Sequence, residues 1–181
     1  MEEKMNKVYI MLQKHRGFFP RLYGLLTHSK YSHASISVDP TINKFYSFRM
    51  KWGFCAEHPF NFKKKHKEEI PLIIYSMDLD DETYSAVNDS LISFINAKEE
   101  YYYSYLSLLL GSIGIKHQFE RGYFCSRFVA SVLEGTGSLK KKSSVYRPVD
   151  FMRENFELKF LGKAKDVIEV IEREVKLEKE P

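Results

Sequence analysis

The chain has 181 residues, of which 44% are hydrophobic and 15% aromatic, and its formal net charge at pH 7 is +4. This length fits one domain with a sizeable core, and the composition excludes an intrinsically disordered chain. Two cysteines are too few for a disulfide framework, no apolar run approaches the roughly 20 residues that span a bilayer, and the N-terminal apolar run is short for a signal peptide. The sequence therefore predicts a cytoplasmic protein.

The first half of the chain predicts three strands, one short helix and a long loop. An apolar run indicates a strand at 7–13, and a proline begins a short helix at 21–28. Strict alternation predicts a strand at 32–39, with apolar side chains toward the core and polar side chains, His33 among them, on the opposite face. The segment 44–49 follows a turn and is predicted as the hairpin partner of that strand. The pattern is lost over 50–69, which predicts a long loop that lines a site.

The second half predicts one more buried strand and then mostly helices. The segment 71–79 is almost continuously apolar, which is typical of a central strand. Acidic residues begin a helix that runs to about residue 98, where they suit the positive end of the helix dipole. A second apolar helix covers 105–113, a short helix begins at Pro148, and 157–161 is predicted as an edge strand.

The chain has no internal repeat and no linker that would divide it. The sequence therefore predicts a single α+β domain over residues 1–181, with its core over about 7–162. The charged segment 163–181 is predicted as a C-terminal extension, either a helix or a strand that continues into one.

The most informative stretch runs from Gly122 to Leu133, where a glycine turn leads into an amphipathic helix. Cys125 lies in the first turn of that helix, where free N–H groups and the helix dipole favour a thiolate. Arg121 and Arg127 add positive charge nearby. Cys125 is therefore a candidate nucleophile; the alternative interpretation is an inert core cysteine, the usual fate of a lone cysteine.

A thiolate nucleophile needs a base, and an imidazole is the usual partner. Five of the six histidines lie in predicted loops or at helix ends, but His33 lies at the start of a predicted strand. A rigid strand can aim an imidazole at a helix N-terminus as accurately as proton transfer requires. His33 is the candidate base; the alternative is that it faces water from a half-exposed sheet.

Two motifs carry a resemblance to a known family. Tyr31-Ser32-His33-Ala34-Ser35-Ile36-Ser37-Val38-Asp39, followed by Tyr123-Phe124-Cys125-Ser126-Arg127-Phe128-Val129, is similar to the circularly permuted branch of the NlpC/P60 papain-like superfamily. In that branch the strand with the histidine precedes the helix with the cysteine. The phrase Tyr46-Ser47-Phe48 on the following strand adds to the resemblance, which covers roughly residues 7–162.

The resemblance implies a small antiparallel sheet packed on helices, with Cys125 facing His33 across a cleft. It implies acyl transfer through a thioester, either hydrolysis of an amide, peptide or ester bond or transfer of the acyl group, without a cofactor or a metal. Cys125 would attack, His33 would accept the thiol proton and return it to the leaving group, and the Cys125 N–H would contribute to an oxyanion hole. The expected substrate is a small amide, a peptide or an acyl lipid.

The sequence offers two candidates for the group that orients the imidazole. Relatives place a polar residue on the strand after the histidine strand, which favours Ser47; Glu57 in the following loop suits the chemistry better, but the sequence does not place it. Tyr31, Trp52 and Tyr123 are predicted substrate contacts, although packing also explains Tyr123. Where the family would carry an acid or a glutamine, this chain has Arg127, which we expect to alter the charge of the cleft.

Two other kinds of site compete with the enzyme hypothesis. Cys55-Ala56-Glu57-His58, with His66, offers metal ligands but lacks a second matching pair, so the metal signal is weak. A non-catalytic module could use the lysine runs to bind lipid or another anionic ligand, and peripheral membrane contact is compatible with the sequence. The chain carries no nucleic-acid-binding motif and predicts no nucleic-acid partner. The apolar segment 106–115 and the loop around Trp52 suit an acyl chain or a core equally.

Overall fold

A six-stranded antiparallel sheet forms the centre of the fold in a computed structural model, which describes residues 6–14, 24, 30–60, 68–117 and 119–167. Across the sheet the strands follow the order β4-β3-β2-β1-β5-β8, and two further strands, β6 and β7, form a short parallel pair. The elements are β1 (Asn6–Gln13), β2 (His33–Ser37), β3 (Phe45–Arg49), β4 (Gly53–Glu57), β5 (Pro71–Leu79), α1 (Asp81–Asn96), β6 (Tyr102–Tyr103), α2 (Tyr105–Ser112), β7 (Gly122–Tyr123), α3 (Cys125–Val132) and β8 (Glu157–Lys163), with 3-10 turns at Lys98–Glu100, Ser143–Val145 and Pro148–Arg153.

The predicted α+β class with an antiparallel sheet and helices is confirmed. The strands expected at 7–13, 32–39, 44–49 and 71–79 are present, the last in the interior of the sheet as predicted, and β8 lies at its edge. The helix predicted at 21–28 and most of the C-terminal extension lie outside the described residues. No helix within the described part of the chain is long and apolar enough to cross a membrane.

The prediction of an uninterrupted loop over 50–69 was wrong, because β4 occupies part of it. Gly53 has a φ of +61°, a left-handed conformation that glycine adopts without strain, and it ends the turn after β3. Strands β3 and β4 then pair antiparallel, with Arg49 opposite Gly53 and Phe45 opposite Glu57. The turn therefore fixes the register of β4 against β3 and, with it, the position of Glu57.

Strand β2 is buried on both faces, which the alternation in its sequence did not predict. On one face of β2, Ala34 and Ile36 belong to the main core beneath α1 and α3. On the other face, the neighbouring strands contribute Met11 and Phe45 to a second apolar cluster. His33 is therefore enclosed, with only 6% of its surface exposed. The alternative in which His33 faces water is excluded.

Helix α3 is held against the sheet by its apolar face. Phe128 and Val129 are fully buried in the main core, and the Phe128 ring lies 5.4 Å from the ring of Phe48 on β3. Burial of a phenylalanine side chain contributes about 1.5–3 kcal/mol. This packing fixes the N-terminus of α3, and with it Cys125, beside β2 and β3.

Candidate active site

Cys125 is the first residue of α3, and the chain that leads to it is fixed by β7. Strand β7 pairs with β6, and Phe124 continues the extended backbone up to the helix. A Cβ atom added at Gly122 would lie 2.9 Å from the Cβ of Ser104, so only glycine allows this close approach. The position of the thiol is thus set by β7 on one side and by the buried face of α3 on the other.

Arg127 ties the segment before the cysteine to α3. Its side chain is buried, and its guanidinium donates hydrogen bonds to the carbonyl oxygens of Gly122 and, at 3.1 Å, Phe119. It also lies over the ring of Tyr123, 4.5 Å from the ring centroid. The expectation that Arg127 alters the charge of the cleft was wrong, because the guanidinium points into the protein and stabilises the approach to Cys125.

His33 and Glu57 form a buried pair. The Nε2 atom of His33 lies 2.8 Å from Oε1 of Glu57, and both residues are almost completely enclosed. Arg49 donates a hydrogen bond from Nε to the same carboxylate oxygen at 2.6 Å. Glu57 therefore fixes the orientation of the imidazole and is itself held by the guanidinium.

Cys125 contacts the other side of this pair through a hydrogen bond with the His33 side chain. Since Nε2 of His33 is engaged with Glu57, we infer that the thiol faces Nδ1. The imidazole thus lies between a cysteine and a carboxylate. That order of groups is the one in which a base is oriented by a third group while it exchanges a proton with a nucleophile.

The electrostatics of the pair favour a charged imidazole. Burial opposes the charge on His33, but the Glu57 carboxylate and the hydrogen bonds with Cys125 and Glu57 outweigh burial and raise the pKa of His33 to about 9. Burial likewise opposes the charge on Glu57, and the neighbouring His33 and Arg49 nevertheless hold the pKa of that carboxyl well below its usual range. At neutral pH the pair is therefore an imidazolium and a carboxylate.

The prediction that Ser47 orients His33 was wrong. Its hydroxyl donates a hydrogen bond to the carbonyl oxygen of Ala34 at 2.6 Å, so it joins β3 to β2 through the backbone. Glu57, which the sequence left as the alternative, makes the contact with His33. Glu57 lies on β4 and its longer side chain reaches across β3 to His33, whereas the Ser47 hydroxyl is engaged with the backbone of β2.

The three predicted substrate contacts have different environments. Tyr31 lies in the main core with 2% of its surface exposed, which corrects its assignment. Tyr123 stacks on Phe48, with the ring centroids 5.4 Å apart, and so has a packing role. Trp52 is 63% exposed in the β3–β4 turn, and its ring lies 5.9 Å from the guanidinium of Arg49. Of the three, Trp52 is the most exposed, and Arg49 connects it to the buried pair.

Arg49 is the site residue that the sequence interpretation missed. It contacts Glu57 on one side and the Trp52 ring on the other. Burial opposes the charge on the guanidinium, but the hydrogen bond and the charge of Glu57, with smaller contributions from Cys55 and Cys125, raise the pKa of Arg49. A signal was available in the alternation of β3, because Arg49 lies two residues after Ser47 on the same face of the strand.

The ligands of the weak metal motif are not gathered into a site. Glu57 is engaged with His33 and Arg49, whereas Nδ1 of His58 lies 3.2 Å from the carbonyl oxygen of Asn43. His66 lies outside the described residues, and those residues contain no group of three or more side chains that could hold a metal ion.

A comparison with protein-family models, curated proteins and solved structures finds no match to this chain. The resemblance to the permuted NlpC/P60 branch stays a prediction.

Proposed function

We propose that this chain is a cysteine hydrolase or acyltransferase of the permuted papain-like type that works through a thioester. Cys125 is the nucleophile, His33 the general base, and Glu57 the residue that positions His33. The supporting observation is the buried series Cys125–His33–Glu57 at the N-terminus of α3. The proposed substrates are small amides, peptides or acyl lipids.

The proposed reaction starts from a Cys125 thiolate beside the His33 imidazolium, whose Nδ1 holds the proton that the thiol has given up. The sulfur then attacks the substrate carbonyl carbon, and the developing negative charge on oxygen is stabilised by the Cys125 backbone N–H. The imidazolium returns its proton to the leaving amine or alcohol as the C–N or C–O bond breaks, which leaves a thioester. His33 then takes a proton from water or from another acyl acceptor, which attacks the thioester; the C–S bond breaks and releases the Cys125 thiolate, which restores the starting ion pair.

Glu57 supports the steps in which His33 carries charge. Its carboxylate faces Nε2, so it stabilises the imidazolium that forms when Cys125 loses its proton. Arg49 holds this carboxylate in place from the other side. Because the pair is buried, each interaction is stronger than it would be in water.

A second candidate function is a non-catalytic lipid-binding module on the same fold. It is favoured by large apolar side chains of α2 that are exposed to solvent. The two functions are separable, since binding without catalysis would survive the change Cys125→Ala.

Thiol alkylation against pH tests the proposed dyad. Iodoacetamide labelling of Cys125 is followed by mass spectrometry in the wild type and in His33→Ala. Cys125→Ser serves as the blank that lacks this thiol. We expect Cys125 to be alkylated at pH 6–7, where an ordinary thiol with a pKa of about 8.5 is mostly protonated. We expect His33→Ala to lower that rate by about ten-fold or more, since the imidazolium that stabilises the thiolate is lost.

The matched control is His58→Ala, which removes a histidine that lies just after β4 and is more exposed than His33. It should leave the alkylation of Cys125 unchanged. If Cys125 reacts only after the protein unfolds, or if His33→Ala does not change its pH profile, the proposed enzyme function is wrong.

A further inference from the structure

Helix α2 carries its large apolar side chains toward solvent. Ser107 and Gly111 face the protein, whereas Tyr105, Leu106 and Leu109 are each more than half exposed. The inward face has no room for larger residues, because a Cβ atom added at Gly111 would lie 2.9 Å from the carbonyl oxygen of Ser144. The helix is therefore amphipathic in the reverse sense to an ordinary surface helix.

The turn between β3 and β4 extends this apolar face. The hydroxyl of Tyr105 donates a hydrogen bond to the carbonyl oxygen of Met50 at 3.4 Å, which joins the helix to the turn. We use the name outer apolar surface for the exposed large side chains of the turn, of α2 and of the residues just after α2, which are Met50, Trp52, Tyr105, Leu106, Leu109, Ile113 and Ile115. Contiguous exposed apolar residues of this kind mark interaction sites.

The outer apolar surface adjoins the candidate active site on two sides. The Phe124 ring packs beneath α2, 3.2 Å from the Cβ position of Gly111, and Phe124 directly precedes Cys125. On the other side, Arg49 contacts both Trp52 and Glu57. Whatever covers this surface is therefore brought close to the thiol.

Within the two segments that carry the surface the charged residues are all cations, and the nearest carboxylates in the sequence are those of Glu57, Glu100 and Glu120. The sequence has no acidic residue over 44–56 or over 101–118, and these segments carry Lys44, Arg49, Lys51 and Lys116. Exposed aliphatic side chains, aromatic rings and flanking cations together are typical of helices that lie in the interface of an anionic membrane. Each cation close to such a membrane contributes about 1 kcal/mol of attraction.

We propose that the outer apolar surface docks onto an anionic lipid bilayer and presents Cys125 to the acyl groups of lipids. A bilayer fits better than a protein partner, because the surface combines a continuous apolar helix face with cations and lacks acidic residues. Docking does not depend on catalysis; the choice of an acyl lipid as substrate rests on the function proposed above.

The test uses the intrinsic fluorescence of Trp52, which is the sole tryptophan of the chain. The full chain carrying Cys125→Ser is titrated with vesicles of phosphatidylcholine alone and of phosphatidylcholine with phosphatidylserine. We expect a blue shift of the emission with the anionic vesicles, and quenching when the lipid chains are brominated. Flotation with the vesicles gives the partition coefficient independently.

Two double variants locate the docking surface. Leu106→Ser with Leu109→Ser should lower the partition coefficient by about ten-fold or more, because two apolar side chains no longer enter the bilayer. The matched control is Leu158→Ser with Leu161→Ser, two equally exposed leucines on β8 at the opposite edge of the sheet. The control pair should bind as the parent does.

Several outcomes would overturn the proposal. These are no binding to anionic vesicles, equal loss in both double variants, or binding that added salt abolishes and neither double variant alters. Self-association or capture of a protein partner that depends on Leu106 and Leu109, without vesicle binding, would also assign the surface to a protein interface. The vesicle experiment uses Cys125→Ser, which lacks the nucleophile. Its result is therefore independent of the alkylation experiment that tests the proposed enzyme function.

Discussion

The two cysteines lie near the same charged groups, but Cys55 is influenced directly by the Glu57 carboxylate, whereas Cys125 contacts His33. Cys55 is on β4, two residues before Glu57; burial first and then the Glu57 carboxylate raise its pKa to about 11, with Arg49 acting in the other direction. Cys125 begins α3 and meets Glu57 through the imidazole of His33. One carboxylate therefore suppresses ionisation of the Cys55 thiol and, on its other side, holds the imidazole that contacts the Cys125 thiol.

The largest effect is expected on stability when the carboxylate is removed. Glu57→Gln breaks a buried ion pair, so we expect it to lower the free energy of unfolding by about 3 kcal/mol. His33 has a pKa of about 9 when folded against 6.5 ordinarily, so its contribution is complete below about pH 6.5 and is lost as the pH rises through 9. Glu57 has a lowered pKa, so its contribution is present above about pH 4.5 and is lost as the pH falls further.

The measurement is urea unfolding of the wild type and of Glu57→Gln at about pH 5.5, 7.5 and 9.5. The difference in the free energy of unfolding between the two proteins should be largest at the lowest of these values and smallest at the highest. A difference that stays constant over this range would show that the buried pair is not charged, and the contrast between the two thiols would lose its explanation.

A smaller effect is expected on thiol reactivity in the same variant, and it has opposite signs at the two cysteines. Without the carboxylate, His33 loses the charge that favours its imidazolium, so alkylation of Cys125 at pH 7 should slow by about ten- to thirty-fold. Cys55 loses a neighbouring negative charge and should react faster. Residue-resolved mass spectrometry of the alkylated protein measures both in one sample. Rates that change in the same direction at both sites would point to general loosening of the fold.

The smallest effect is expected at Ser47, whose hydroxyl bonds a backbone carbonyl. Ser47→Ala removes that hydrogen bond and should lower the free energy of unfolding by about 1 kcal/mol. The pH profiles of Cys55 and Cys125 should remain those of the wild type, because the Ser47 hydroxyl donates to the carbonyl oxygen of Ala34 and Glu57 holds the imidazole. A shifted profile for Cys125 alone would restore Ser47 as the residue that orients the imidazole.

The elements that the sequence predicted are those with a clear period or a clear boundary. Asp80 accepts a hydrogen bond from the Thr83 N–H and begins α1 where the acidic residues indicate it. The four-residue spacing of apolar side chains in α3 and the alternation in β2 located Cys125 and His33 on the correct elements. These features are local, and local patterns are what a single sequence carries.

The residues that were misplaced depend on contacts between distant parts of the chain. Glu57 reaches His33 because β4 folds back on β3 in one register, and a five-residue strand after a glycine turn gives too short a pattern to predict that register. The burial of β2 on both faces depends on a second apolar cluster built from other strands. The interior position of Arg127 depends on carbonyl groups that only the folded loop brings together.

The β3–β4 hairpin carries Arg49, Trp52 and Glu57 within nine residues. This spacing limits which substitutions and changes of length the hairpin can accept during evolution. The side chains of Met50, Lys51 and Trp52 at the tip are exposed, so they can be exchanged without disturbing the sheet, whereas Gly53 is required for the turn. A change of one residue in its length would slip the register of β4 and turn Glu57 to the opposite face of the sheet. In related chains the tip of this hairpin can therefore vary in sequence and follow the substrate, while its length stays constant.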